Sequence, residues 1–285
     1  MQFDQAWFSQ PGFSWHKAYG LALACELAYE PTETVKETLH RDWRMSGVVF
    51  DIGDMEGFVA VGTQAIIVSI RGTQGVRDWI NVNLRVPETE FAPIGGAAHR
   101  GFVAGWTAIS DVVGDAMAEH PTKTVWFTGH SLGAAVAILG AAAAAPIAPD
   151  IITFGQPRIF NAAAANHLNA TFGARYHRVV HGEDVVARIP RFYHHAGRLF
   201  HFPRMQSALA ATASATATAG PVEVTASLDG PTPLSQEEEK ALEEDMATVP
   251  TTGMAATAGL GNKPGIEDHR IGAYVQLMAR QIATS

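Results

Sequence analysis

Cysteine is all but missing from this chain: among 285 residues there is one, Cys25. A lone thiol cannot close an internal disulfide. Its setting, LALACELAYE, reads as an apolar helix face, so Cys25 is expected to be buried and inert, and neither redox chemistry nor a cysteine metal site is in prospect. Charge is sparse too, at 17% of residues, and the positive sign is the scarcer: 20 Lys and Arg against 28 Asp and Glu, a net of -8. With no basic surplus, nucleic acid and anionic lipid surfaces are poor partners. The first residues, MQFDQAWFSQPGFSW, lack a basic segment followed by an unbroken apolar run. No signal peptide is written there, which leaves a cytoplasmic protein and a mature exported one as alternatives. The longest uncharged apolar run, residues 132 to 149, is mostly alanine, contains Pro146 and Pro149 and adjoins a strand. It reads as the buried helix of a core and not as a transmembrane segment.

What is present is a large apolar fraction, 47%, which suits one large α/β domain as well as two small ones, and the chain is read as a single domain over residues 1 to 285. Residues 17 to 30 carry apolar positions at helical spacing, and VVFDIGD, EGFVAVGT and AIIVSIRGT read as three consecutive strands divided by turn residues. HRGFVAGWTAISDVVGDAMAEH places Phe102, Trp106, Ile109, Val113 and Met117 on one helical face, and Pro121 closes it before the strand TVWFTG. An Ala-rich helix, the strand DIITFGQ, a helix around NAAAANHLNATFG and the strand YHRVVHGED follow. This alternation predicts an α/β fold with a mainly parallel central sheet and helices on both faces. Residues 205 to 262 differ. ALAATASATATAG is too small in side chain to build a core and LSQEEEKALEEDMA is a short acidic segment able to form a helix, so the span reads as an insertion within the domain, a loop or loose cap.

One pentapeptide stands out. GHSLG, residues 129 to 133, fits G-x-S-x-G, and it lies where a hydrophobic strand enters and a small-residue helix leaves. That is the setting of a nucleophile elbow: the sharp turn strains the serine backbone and lifts Oγ above the sheet edge, beside helix N-H groups that favour developing negative charge. The competing reading of Ser131 is a plain helix N-cap. A serine hydroxyl needs a base, and the base an orienting acid, in the order Ser, Asp/Glu, His on such a sheet. Asp184 follows an apolar strand in RVVHGEDVVARIP, at the edge where parallel sheets carry their sites, with Glu183 as the nearest competitor. Of twelve histidines, those at 181, 194, 195 and 201 precede or crowd the insertion, whereas His269 lies beyond it at the start of a terminal helix.

With these segments together the chain resembles the class 3 lipases, the group typified by filamentous-fungal triacylglycerol lipases. The resemblance runs over roughly residues 15 to 200 and 265 to 285 and is carried by LALACELAYE, IVSIRGTQGVRDWINVNL, HRGF, TGHSLG, ITFGQPRIFN, VVHGEDVVARIP and the late DH. It implies an α/β-hydrolase fold with Ser131 as nucleophile, Asp184 as orienting acid and His269 as base. It further implies Thr73 as an oxyanion-hole residue with the Leu132 backbone N-H as second donor. Thr73 ends a central strand beside the elbow, which suits it to face an ester oxygen as charge develops.

The segment QGVRDWINVNLRV corresponds to the family's lid, with Val76, Trp79, Ile80 and Leu84 near one helical face. A plain amphipathic helix packed on the core is the alternative there. The implied activity is hydrolysis of carboxylic esters of lipids through an acyl-serine, with no cofactor and no metal. The implied partner is a lipid or other ester substrate met at a lipid-water interface. Competing readings are an esterase on small or aryl esters, feruloyl-type included, and a non-catalytic lipid-binding protein of hydrolase fold. The chain departs from secreted fungal members in having no disulfide framework, no visible leader, and the insertion between acid and base.

Overall fold

The structure is a computed structural model and describes residues 2–72, 87–203, 232–247, 265 and 267–284. Ser14 opens the first long helix by accepting the Lys17 N-H at 3.3 Å, so α1 runs Trp15–Leu27, two residues earlier than the apolar spacing suggests. A short α2, Thr32–Glu37, follows. Three strands then form an antiparallel meander: β1 Ser46–Ile52, β2 Met55–Val61 and β3 Ala65–Ile70, with Val48 opposite Val59 and Val59 opposite Val68. Gly53 (φ +62) makes the tight reversal between the first two, a conformation costly for a residue with a Cβ.

From β3 onward the sheet turns parallel. β4 Glu88–Phe91 and β5 Gly96–His99 make a separate two-stranded sheet, which the sequence pattern had not signalled. Helix α3, Arg100–Ala118, leads to β6 Thr124–His130, and α4, Leu132–Ala143, to β7 Asp150–Phe154. Helix α5, Ala162–Phe172, precedes β8 Tyr176–His181, and β9 Arg198–Phe202 completes an edge, also unanticipated. Among the described residues the main sheet has seven strands in the order β1-β2-β3-β6-β7-β8-β9, parallel from β3 to β9. This is the mainly parallel sheet that the alternation of elements predicts.

Period-two alternation divides the buried residues between two cores. Ile66, Val68, Val125, Phe127 and Ile151 face α3, α4 and α5, where Phe102, Trp106, Ile109 and Val113 pack. Met117 is only half-buried, because the face drifts to Ala116 in the last turn. Ile67, Trp126, Ile152 and Val179 face the other way, onto α1 and the terminal helix α7, Ile271–Thr284. Helix α4 is buried along its length between sheet and α3, which explains its uncharged composition. Among the described residues no helix is long and apolar enough to cross a membrane. Cys25 is fully buried against Thr128 Oγ1 at 3.2 Å, and burial pushes its thiol up to about 12.

Within the 205–262 insertion, residues 232–247 are described and α6 covers Gln236–Ala247. The acidic segment is helical, and it is anchored: Glu239 Oε1 accepts the Arg191 N-H at 2.7 Å, the Arg188 Nε-H donates to the Thr232 carbonyl at 2.9 Å, and Leu234 enters the main core, 5% exposed. Leu242 of α6 packs against that core as well, half-buried, and composition alone did not indicate these two leucines as anchors in a mainly acidic stretch.

On the α1 side, His177 stacks on Phe200 with ring centres 5.3 Å apart and touches Phe13 at 4.7 Å. Burial, and then the charge of Arg198, push its pKa down to about 4. The unfolded chain takes up this proton near 6.5 and the folded one only near 4, so the contribution is complete above about 6.5 and is lost as pH falls through that window, by up to about 1.4 kcal/mol per pH unit. Urea unfolding between about pH 7 and 4.5 is expected to show a shallower acid loss in His177→Phe than in the parent protein, and equal slopes would exclude this proton.

Candidate active site

The site begins with a strained turn. Strand β6 ends at His130, α4 starts at Leu132, and Ser131 between them adopts φ +58, ψ -127, a region that only an over-determined position holds. The Ser131 N-H donates to the Phe154 carbonyl at 3.0 Å, which keeps the turn on the sheet edge. A Cβ on Gly133 would lie 2.0 Å from the Ile70 carbonyl, and one on Gly129 2.4 Å from Gly133 itself, so strand and helix close only with glycine at both positions. Ser131 occupies the N-cap position but makes no side-chain cap bond. Its hydroxyl is engaged elsewhere, which answers the plain-cap reading.

Ser131 Oγ lies 2.9 Å from His269 Nε2, and His269 Nδ1 lies 2.9 Å from both carboxylate oxygens of Asp184. The carboxylate can only accept, so Nδ1 carries the proton and Nε2 accepts from the serine hydroxyl. All three side chains are buried. Asp184 sits just past β8, and its Oδ1 also accepts from the Val186 and Ala187 N-H groups at 2.9 and 3.4 Å. Burial alone would raise its carboxyl. The charge and hydrogen bond of the His269 ring and the Tyr274 hydroxyl outweigh that, leaving the carboxyl below the usual carboxylate value.

Glu183, the neighbouring carboxylate, points outward: its side chain is 66% exposed and 3.7 Å from Arg188. Its backbone N-H donates to Asp268 at 2.8 Å, which ties the turn bearing Asp184 to the turn bearing His269. The other candidate histidines serve the loops. The Nε2-H of His195 donates to the Ala187 carbonyl at 2.8 Å, that of His201 to the Gly182 carbonyl at 2.7 Å, and His181 Nδ1 lies 3.9 Å from Asp268. Leu132 is described: it is the first residue of α4, a position whose backbone N-H has no acceptor within the helix. Thr73, Val76, Trp79, Ile80 and Leu84 lie outside the described residues.

Two participants escaped sequence reasoning. Gly155 (φ +56) ends β7, and a Cβ there would lie 2.6 Å from Asp184 Oδ2 and 2.9 Å from His269 Nδ1. Its signal was the break of the apolar strand DIITF by glycine, at the same sheet edge as the elbow. Tyr274, fully buried on α7, donates its hydroxyl to Asp184 Oδ2 and accepts the His181 N-H at 3.3 Å. Burial and the adjacent carboxylate keep its hydroxyl protonated, far above the usual phenol value. Tyr274→Phe leaves a buried carboxylate oxygen short of its donor, and urea unfolding at neutral pH is expected to show a loss of about 1.5 to 3 kcal/mol. Unchanged stability would mean that this hydroxyl bond contributes nothing.

Known proteins resemble this chain over part of its length. Residues 67–194 match the family model of the class 3 lipases. A secreted mono- and diacylglycerol lipase of Fusarium solani is 38% identical over 132 residues, 44% of this chain and 39% of that protein. A lipase of Rhizomucor miehei is 31% identical over 153 residues, 49% of this chain and 42% of its own length. The matched stretch thus spans less than half of either relative. Among solved structures, the triacylglyceride lipase of Rhizomucor miehei aligns with a TM-score of 0.57 at 24% identity, over 66% of this chain and 79% of that one. A mono- and diacylglycerol lipase from Aspergillus oryzae aligns with a TM-score of 0.57 at 23% identity, over 69% and 82%. These likenesses establish the α/β-hydrolase fold.

Proposed function

We propose that this chain, whose residues 67–194 match the family model of the class 3 lipases, hydrolyses carboxylic esters of lipids, acylglycerols foremost, through an acyl-serine intermediate. The observation that carries the reading is the buried line Ser131 Oγ, His269 Nε2, His269 Nδ1, Asp184, each contact 2.9 Å, standing on a strained elbow. Ser131 Oγ attacks the ester carbonyl carbon as its proton passes to His269 Nε2. Asp184 holds the imidazole in the accepting tautomer and stabilises the imidazolium that forms. The carbonyl π pair moves onto oxygen, where the Leu132 N-H and Thr73 donate to the oxyanion. Collapse expels the alcohol, which takes the proton from Nε2 and leaves an acyl-serine. Water then repeats the sequence: His269 removes its proton, the acid departs and Ser131 regains its hydrogen.

Lipid esters are favoured as substrate because the relatives from Fusarium solani and Penicillium camembertii bear the names of secreted mono- and diacylglycerol lipases. The same names favour an exported protein over a cytoplasmic one. The segment 74 to 86 is assigned the lid, with Val76, Trp79, Ile80 and Leu84 meeting lipid, and residues 1 to 285 form one hydrolase domain with 205 to 262 as its insertion.

A fluorophosphonate probe tests the reaction class: labelling is expected at Ser131, and a protein that takes no label is a lipid binder and not an enzyme. p-Nitrophenyl esters of graded chain length, dissolved and emulsified, then separate lipase from small-ester esterase. Burying an apolar side chain the size of Trp79 against lipid is favourable by roughly 2 to 3 kcal/mol. Trp79→Ala and Ile80→Ser are therefore expected to depress the emulsified long-chain rate much more than the dissolved short-chain rate. A parallel decline on both would make the segment core packing and the protein an esterase.

A further inference from the structure

The residue before the nucleophile carries its own hydrogen-bond line. His130 is buried, its ring centre 4.6 Å from that of His269 with the planes 32° apart. Its Nε2 lies 2.6 Å from the backbone carbonyl of His269, and its Nδ1 2.8 Å from the Tyr29 hydroxyl beyond the end of α1. A carbonyl oxygen only accepts, so Nε2 must bear a hydrogen and donate to it. Burial first, and then the facing His269 ring, push His130 down to about 3, so the ring is neutral near pH 7 and holds one proton only. Nδ1 is therefore an acceptor, and the Tyr29 hydroxyl donates to it. Tyr29 is in place for this: its hydroxyl packs against Gly72, where a Cβ would lie 2.4 Å from it, and the Arg71 guanidinium lies 5.6 Å from its ring centre.

We propose that Tyr29 and His130 are positioning residues that fix the backbone of His269 relative to Ser131, through the directed chain Tyr29 O-H to His130 Nδ1 and His130 Nε2-H to the His269 carbonyl. His130 is covalently adjacent to Ser131, so one side chain joins the nucleophile's backbone to the base's backbone across 139 positions of sequence. The triad contacts set which way the His269 ring faces; this second line sets where its backbone stands. A neutral partner ring suits the position, since a charged one at 4.6 Å would oppose the imidazolium that His269 must become.

The functional part rests on the ester-hydrolase reading, and one measurement does not. Soluble p-nitrophenyl butyrate kinetics, normalised to fluorophosphonate-titrated sites, are compared for the parent, His130→Phe, His130→Gln and Tyr29→Phe, alongside ¹⁵N-histidine spectra of the parent. His130→Phe keeps a stacked ring but no donor, and kcat is expected to fall about 10²-fold, the scale of a misplaced catalytic group, with KM changed less than about twofold. His130→Gln presents an N-H to the same carbonyl and is expected to recover about tenfold over His130→Phe, while Tyr29→Phe costs about five- to tenfold, the scale of one hydrogen bond. The parent spectrum is expected to show His130 with Nε2 protonated and Nδ1 bare, without titrating between about pH 5 and 8. A proton on Nδ1, full kcat in His130→Phe, or no recovery by Gln in a folded protein overturns the proposal. If the parent hydrolyses no ester, the hydrolase reading fails, and the ¹⁵N tautomer still decides the hydrogen-bond chain.

Discussion

Ser131→Ala and His269→Ala are each expected to lower ester turnover by at least ~10³-fold, and the double variant to be little worse than either single one. The reason lies in the 2.9 Å contact between Oγ and Nε2. Neither group does its part alone: the hydroxyl is a weak nucleophile until the imidazole takes its proton, and the imidazole has no proton to take without the hydroxyl. The fold is expected to survive both changes, because Ser131→Ala removes one oxygen and the elbow is held by the backbone bond to Phe154 and the glycines at 129 and 133. Steady-state rates with circular dichroism check the pair. A double variant whose loss equals the product of the single losses would show independent action and refute a shared proton transfer. A near-normal rate in His269→Ala, with loss in His181→Ala or His194→Ala, would move the base elsewhere.

Asp184→Asn is expected to cut turnover by roughly 10³ to 10⁴-fold, and Glu183→Gln by less than about twofold, although the two carboxylates are adjacent in sequence. Asp184 accepts from His269 Nδ1 and from the Val186 and Ala187 N-H groups, so its site is built for an acceptor. An asparagine turns an NH₂ toward Nδ1 and draws the ring proton to Nε2, which then donates to Ser131 instead of accepting from it. Glu183 is solvated and 3.7 Å from Arg188, so losing its charge alters only a surface pair. Initial rates on a soluble p-nitrophenyl ester discriminate. Equal small losses at both positions would point to a third carboxylate.

Much of the scaffold was legible in the sequence because its causes are local. Three strands were visible as β-favouring runs between turn residues, α3 as a 3.6-residue stripe, and the elbow as glycines flanking a serine between a strand and a helix. Each depends on residues within a few positions of one another. Strand β9, RLFHF, follows a loop and carries two polar residues, and β4 and β5 pair over four residues each, so neither exceeded the background of the pattern.

What the linear order settled, then, is the class of fold, the elbow, and the rule that an acid and a histidine must follow the serine. It narrowed the acid to two neighbours and the base to one late histidine. Only the tertiary structure separates Asp184 from Glu183, because the turn after β8 points one carboxylate to His269 and the other to solvent. It alone discloses Gly155 beside the Asp184 carboxylate, Tyr274 on the far side of it, and Tyr29 and His130 behind His269. The hydrogen bonds that join Asp184, His269, Tyr274, His130 and Tyr29 span 85 to 139 positions of chain. No local propensity records such a contact, since it forms only when the helices on one face of the sheet bring distant side chains to a single edge.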